Sequence, residues 1–398
     1  MAPPTEEKPI DGRLRRVPCS VMRGGTSRAV FFREGDLPAD PVERDRIILS
    51  VMGSPHPRQI DGLGGADTLT SKIAIVAPAS GGDAADVRFT FGQVAIDRPV
   101  VDYDVSCGNI TAAVGYYAIE EGLVDAIEPT TTVHIRDESS GLFLTTEIPV
   151  EDGVPRVTGE FAMHGAPGTG ARVNVGFVDP GGSTTGEGLL PTGSPRNTTT
   201  VDGRTIEYSF VDAGNPFVFV RASAFDCTGT EMPEDIDDSE SLLDRIEQVR
   251  VPLAVDTGMA TDRRDALENK TVLPAVVLVG RPATYTDYEG DTVRMGEVSL
   301  LCRMVVDRKL HKSYAGTGTV CTGIASLIDG TIVEEYARPF PDGIADTRVT
   351  IGHPSGTIDA FLDTGDDGTP RRVLFSRTAR RLLDGVAYAR PELPPQPR

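Results

Sequence analysis

Short apolar runs, broken by turn residues about every ten positions, set the texture of the chain and point to strands rather than helices. Such runs occupy residues 29–32, 72–76, 87–91, 131–135 and 142–148. The same texture returns at 205–210, 217–222, 275–279, 298–305 and 348–351. Helical spacing of apolar residues appears at 41–53 and at 240–249. Two further helices are predicted at 110–122 and 319–329. They are rich in Ala, Gly and Thr and poor in charge, so they are expected to be buried.

The two small-residue helices are introduced alike. SCGN precedes one and AGTG precedes the other, and each follows a strand-like run. This predicts an α+β, β-rich and barrel-like chain with two similar halves, each giving one helix N-terminus to a shared cleft. Residues 179–197 are rich in Gly, Pro, Ser and Thr and read as the connection. The expected division is 1–186 and 187–375. A final strand-like segment at 385–388, within 376–398, would return to the first half.

Composition narrows the chemistry. No run of 18 apolar residues exists, and the N-terminus lacks the apolar stretch of a signal peptide, so a cytoplasmic protein without a membrane partner is expected. Five cysteines and five histidines are dispersed, with no CxxC, HxH or HExxH spacing. That gives no reason to propose a disulfide framework or a metal. The formal charge of −20 disfavours nucleic acid as a partner. It also means that an anionic ligand must be held by local donors. A homodimer is allowed but not indicated.

Cys107, in SCGNITAAVG, is the strongest chemical candidate. A thiol where a helix begins has its thiolate favoured by unpaired N–H groups and the helix dipole. The plain alternative is a buried structural cysteine. Lys72 sits in the apolar run LTSKIAIV. Partial desolvation there would lower its pKa toward that of a base, whereas on a solvent-facing edge it would do nothing. MRGGTSR places Arg23 before Gly24, Gly25 and Thr26. Arg23 could grip a carboxylate while the glycines admit a ligand to the backbone. A second pair, Gly64 and Gly65, leads through Ser71 to Lys72. Neither pair fits a nucleotide-binding pattern. HKSYAGTGTVCTG offers Ser313 and a Gly316-Thr317-Gly318 turn suited to a carboxylate or oxyanion, and GHPSG offers His353. Cys19, Cys227, Cys302 and Cys321 read as structural.

MRGGTSRAVFF, IDGLGGADTLTSKIAIV, SCGNITAAVG, LLPTG, HKSYAGTGTVCTG and GHPSG, in this order over residues 14–390, together resemble the PrpF family. The resemblance implies a diaminopimelate-epimerase-like fold: two similar domains, each a β-barrel-like sheet around a central helix, with the site between them. It implies an isomerase acting on small unsaturated di- or tricarboxylates such as 2-methylaconitate, aconitate, methylitaconate or 4-oxalomesaconate. Lys72 and Cys107 match the family's acid–base candidates. Related epimerases carry a second cysteine before the second helix, but Ala315 stands there, which argues against a two-thiol epimerase. Arg28 stands where the family commonly has Lys, and it cannot act as a base.

These readings combine into a cofactor-independent proton shift. An allylic or γ C–H of the substrate is acidic because the carbanion spreads into a dienolate. Lys72 and Cys107 would move the proton, in an order the sequence leaves open. The N–H groups at Gly108-Asn109 and Gly316-Thr317-Gly318 would hold carboxylates and the dienolate oxygen. Arg23, Gly24, Gly25, Thr26, Gly64, Gly65, Ser71, Ser313 and His353 would complete the pocket. The other readings are an amino-acid epimerase and a non-catalytic carboxylate-binding protein.

Overall fold

The computed structural model describes residues 13–337, 348–364 and 370–392. One hydrogen-bonded sheet runs through it. From one edge it passes through Ala379–Ala389, Arg15–Gly24, Ser27–Arg33, Lys72–Pro78, Val87–Val94, Thr130–Asp137, Phe143–Glu151 and Val173–Val178. There it crosses to Pro370–Arg377 and continues through Gly356–Thr364, Arg348–His353, Leu300–Val306, Ala275–Gly280, Asn215–Arg221, Arg204–Ala213 and Asn197–Val201.

The pairing pattern repeats. Strands Ser27–Arg33 and Lys72–Pro78 run parallel, as do Asn215–Arg221 and Ala275–Gly280. Val87–Val94 is parallel to Thr130–Asp137, and Leu300–Val306 is parallel to Arg348–His353. The junctions between these parallel pairs are antiparallel in both series. Each parallel pair requires a crossover, and a helix supplies it. Pro41–Met52 and Glu240–Asp256 cross over outside the sheet, whereas Gly108–Glu120 and Gly316–Ala325 cross over inside it.

Local chemistry accounts for these helices. Asp40 caps the first by accepting from the N–H groups of Val42 and Glu43, Pro41 fits its first turn, and Gly53 closes it with φ of +77°. Its apolar face (Ile47, Ile48, Val51 and Met52) packs on Val30, Phe32, Ile73 and Ile75. Helix Glu240–Asp256 runs beyond the predicted 240–249, through Pro252. Burial of Val249, Val251, Leu253 and Ala254 holds that extension despite the missing N–H.

The inner helices begin earlier than the apolar pattern suggests, at Gly108 and Gly316. Glycine starts a helix poorly by propensity alone. Here it is needed because the helix ends touch. A Cβ on Gly316 would stand 2.6 Å from Phe375 Cζ and 3.0 Å from Gly108 Cα, and one on Gly108 would stand 2.8 Å from the same ring atom. Phe177, Phe217, Phe219, Tyr314 and Phe375 fill the core around this contact. Strand Ala379–Ala389 pairs along the whole of Arg15–Gly24, so the chain's last strand returns to its first.

Replacing Gly316 by Ala should force Phe375 or the facing helix to move, at a cost of about 1–3 kcal/mol. Urea unfolding should show a lowered midpoint with unchanged slope. An unchanged midpoint would mean that the helix ends are free to separate.

Candidate active site

Cys107 and Ala315 are the N-caps of the two inner helices, and both have extended backbones. Their carbonyls are used identically. Each accepts the N–H and the hydroxyl of a threonine four residues on: Thr111 at 3.0 and 3.1 Å, Thr319 at 2.9 and 3.0 Å. Neither side chain caps its helix, so among the described residues the first-turn N–H groups have no side-chain cap at either end. A buried network locks the ends together. Asn215 donates to the Ser106 carbonyl and to Thr317 Oγ1, and Ser106 donates to Asp137 at 2.5 Å.

Between the helix ends lies a cavity of about 100 Å³. Cys107, Gly108, Ala315, Gly316 and Thr317 form its helical wall, and Lys72, Phe91, Gln93 and His311 form part of the rest. Lys72 is 7% exposed and enters from the first residue of its strand. Its register partner is Gln93, whose Oε1 accepts from Nζ at 2.5 Å. Gln93 in turn donates to the carbonyls of Thr68 and Ser71. Burial lowers the Lys72 pKa, and the nearby Cys107 and Asp67 only partly oppose that shift. The amine thus moves toward a proton-accepting range without losing its hydrogen bond.

A second cavity, of about 200 Å³, lies beyond Asn109. Thr26, Ser313, His353, His164, Arg172 and Arg377 line it. Arg377 lines this second cavity and reaches Asn109, the residue after Gly108 of the first. It is 3% exposed, donates from Nε to Asn109 Oδ1 at 2.6 Å, and lies over Phe375. Asn109 donates onward to Thr26 Oγ1 at 3.1 Å. Burial pushes the Arg377 pKa down to about 9, with Cys107 opposing. Among the described residues no carboxylate pairs with this guanidinium, and an anion entering the second cavity would meet it.

The structure thus brings Lys72, Cys107, Gly108, Gly316 and Thr317 around one space, and Thr26, Ser313 and His353 around its neighbour, with Asn109 between them. Other candidates stand behind these walls. Arg23 donates to the carbonyls of Gly25 and Thr378, bracing the turn that Gly25 makes at φ of +53°. Gly24 lets that turn lie against the Asn109 carbonyl, which an added Cβ would meet at 2.3 Å. Gly64 packs on the Gln59 side chain and Gly65 on Thr70. Ser71 is buried and accepts from Gln59 at 2.7 Å. Gly318 packs on the Tyr314 ring. Arg28 reaches the Leu63 carbonyl and lines neither cavity, so the change from Lys falls outside the cavity walls.

Three residues were missed by sequence reasoning: Gln93, His311 and Arg377. A period-2 signal was present for two of them. Val87, Phe89 and Phe91 face inward, and Gln93 is next in that phase. Val373 and Phe375 face inward, and Arg377 is next in theirs. A polar residue closing an inward apolar series marks where a strand leaves the core.

The lowered Lys72 pKa carries a stability consequence. The unfolded chain binds this proton more readily than the folded one. Its contribution is therefore unfavourable at neutral pH and fades as pH rises from the lowered value toward about 10.4. Replacing Lys72 by Met should leave the melting temperature at pH 7 unchanged or raised, and should remove that rise with pH. A clearly lowered melting temperature would contradict it.

With this geometry in place, the relatives are informative. The chain is 43% identical over 374 residues to 3-methylitaconate isomerase from Eubacterium barkeri, covering 94% of this chain and 97% of that one. It is 38% identical to 4-oxalomesaconate tautomerase from Pseudomonas putida (93% and 95% covered) and 36% identical to 2-methyl-aconitate isomerase from Shewanella oneidensis (93% and 96%). A crystal structure of methylitaconate-delta-isomerase superposes with a TM-score of 0.78 at 42% identity, covering 95% of this chain and 97% of that one. A hydroxyproline epimerase from Agrobacterium vitis shares the fold at a TM-score of 0.53 and 13% identity, covering 94% and 93%. Residues 14–390 match the PrpF protein family, and the chain belongs to it.

Proposed function

We propose that the protein is an isomerase that shifts a proton along a small unsaturated di- or tricarboxylate, without a cofactor, and that Lys72 and Cys107 handle the proton. The observation that carries this reading is the convergence of a buried amine, a thiol at a helix N-terminus and two sets of first-turn N–H groups without side-chain caps on one cavity. Its relatives named as isomerases and tautomerases of such acids support the same class.

In this mechanism the substrate lies between the helix ends. Arg377, from the neighbouring cavity, pairs with a carboxylate that reaches past Asn109. N–H groups of the first helical turns hold a second carboxylate or the developing dienolate oxygen. One of Lys72 and Cys107 takes the proton from the allylic carbon, and the other returns a proton at the far end of the conjugated system. Gln93 holds the amine in place through Nζ. The substrate's own carboxylate conjugation acidifies the carbon, so proton transfer alone completes the reaction.

Turnover in D₂O should place deuterium at the allylic carbon of a substrate drawn from a panel of aconitate-like acids, followed by NMR. Cys107→Ala should lower that rate about 10²–10⁴-fold with the fold retained by circular dichroism. Exchange by the wild type at the uncatalysed rate across the whole panel would remove the isomerase reading. Arg377→Met should weaken substrate binding by about one to two orders of magnitude, the worth of a charge-assisted hydrogen bond of about 1.5–3 kcal/mol. Unchanged binding would take the guanidinium out of the substrate site.

A further inference from the structure

His311 lines the same cavity as Lys72 and Cys107 but has no part in the scheme above. Its backbone N–H donates to the Met304 carbonyl at 2.8 Å, which fixes the start of the turn. The ring is fixed too. The Ser313 backbone N–H donates to His311 Nδ1 at 3.2 Å. A nitrogen that accepts a hydrogen bond carries no proton, so in the neutral ring the proton sits on Nε2. Among the described residues nothing is hydrogen-bonded to Nε2. The ring therefore carries its free donor at Nε2, away from the Ser313 N–H, on a residue that lines the cavity where the substrate would lie.

We infer that His311 is a catalytic residue acting as a neutral hydrogen-bond donor, its Nε2–H aimed at the oxygen on which the dienolate charge develops. This rests on the isomerase reading and extends it. A neutral donor is suited to this place. An imidazolium would have to turn an Nδ1–H against the Ser313 N–H, and it would stand near two buried cations. Burial first, and then the charges of Lys72 and Arg377, press the His311 pKa down to about 4, with the charge of Asp67 opposing. The ring therefore stays neutral at any pH where Lys72 can work, and its donor strength is constant across that range.

The same device recurs in the neighbouring cavity. The Ser355 N–H donates to His353 Nδ1 at 3.2 Å, and the Ser355 hydroxyl is bonded to the Lys312 carbonyl. Two His-x-Ser turns thus brace each other, and each fixes the tautomer of a cavity-lining imidazole.

Two amides separate the ring's roles. His311→Asn keeps an acceptor near the Nδ1 position for Ser313 but lacks the reach to the cavity. His311→Gln gives up that acceptor and places an N–H near the Nε2 position. If the donor acts on the dienolate, His311→Gln should keep kcat within about tenfold of wild type. His311→Asn and His311→Leu should then lose about 10²–10³-fold in kcat with little change in KM. Equal activity of Asn and Gln, or a better Asn, would overturn the assignment in favour of a purely structural ring. Nitrogen-15 NMR of the histidine rings gives a readout without turnover. Wild type should show an Nε2–H, Nδ1-unprotonated His311 from pH 5.5 to 8, with the Hε2 resonance moving on addition of trans-aconitate. An Nδ1–H ring, an imidazolium, or an unmoved Hε2 would overturn the proposal. If the wild type turns over no acid of the panel, the isomerase reading fails, while the ring spectrum still decides how His311 is protonated and whether it meets the acid.

Discussion

Two helix N-termini meet nearly head to head, and the contact between Gly108 and Gly316 under Phe375 sets the distance between them. Each end carries the equivalent of about half a positive charge. Bringing both into one desolvated space is unfavourable unless an anion lies between them. The fold accepts that cost because the sheet wraps both helices and the large aromatic core holds them in place. Everything proposed for this protein depends on that spacing. A bulkier residue at either glycine would move one set of N–H groups away from the other and from Cys107.

The surrounding charges act in the same direction. The chain has a formal charge of −20, yet the two cavities are approached by Lys72 and Arg377, both buried and both without a paired carboxylate among the described residues. The buried Arg250 is treated differently: it donates to both oxygens of Glu247 and to the carbonyl of Ala266 in the next helix. Asp67, the acid near Lys72, is drawn off by Lys312 at 2.8 Å. Burial lowers the pKa of Lys72 and of Arg377 because no counter-ion compensates their desolvation. A carboxylate ligand would supply it. In the proposed function, selectivity for small polyanions would thus arise locally, against the overall field of the protein.

Much of this was legible in the sequence because it depends on short-range rules. Strands follow apolar runs, outer helices follow helical spacing with Asp40 and Gly53 as punctuation, and the inner helices follow their small residues. Cys107 and Lys72 were legible because each breaks a local rule, a thiol at a helix start and a cation in an apolar strand. Arg23 also looked exceptional, but only the three-dimensional turn reveals that Gly25 and Thr378 occupy its guanidinium. His311 could not be read, since its significance lies in a backbone donor two residues away and in a cavity walled by distant segments.

The repeat in strand pairing gives the asymmetry of the cavity its meaning. Lys72 begins its strand opposite Ala29, and Ala275 begins the equivalent strand opposite Phe217. Gln93 faces Lys72, while the position one step past the Val276–Val305 pair holds Ala275 and Val306. Phe91 corresponds to Met304 in the same way, and Cys107 to Ala315. Apart from Ala29 and the Val276–Val305 pair, all of these line one cavity. The first repeat therefore supplies amine, amide and thiol where the second supplies methyl, isopropyl and methyl. Inversion at a carbon needs proton carriers on opposite faces, and the face opposite Cys107 has none at Ala315. A shift along a conjugated chain needs only that a proton leave one carbon and arrive at another, which two carriers from one repeat can accomplish. In the proposed mechanism the apolar wall would exclude water from the dienolate and leave the hydrogen bonds of the helix ends and His311 to stabilise that charge.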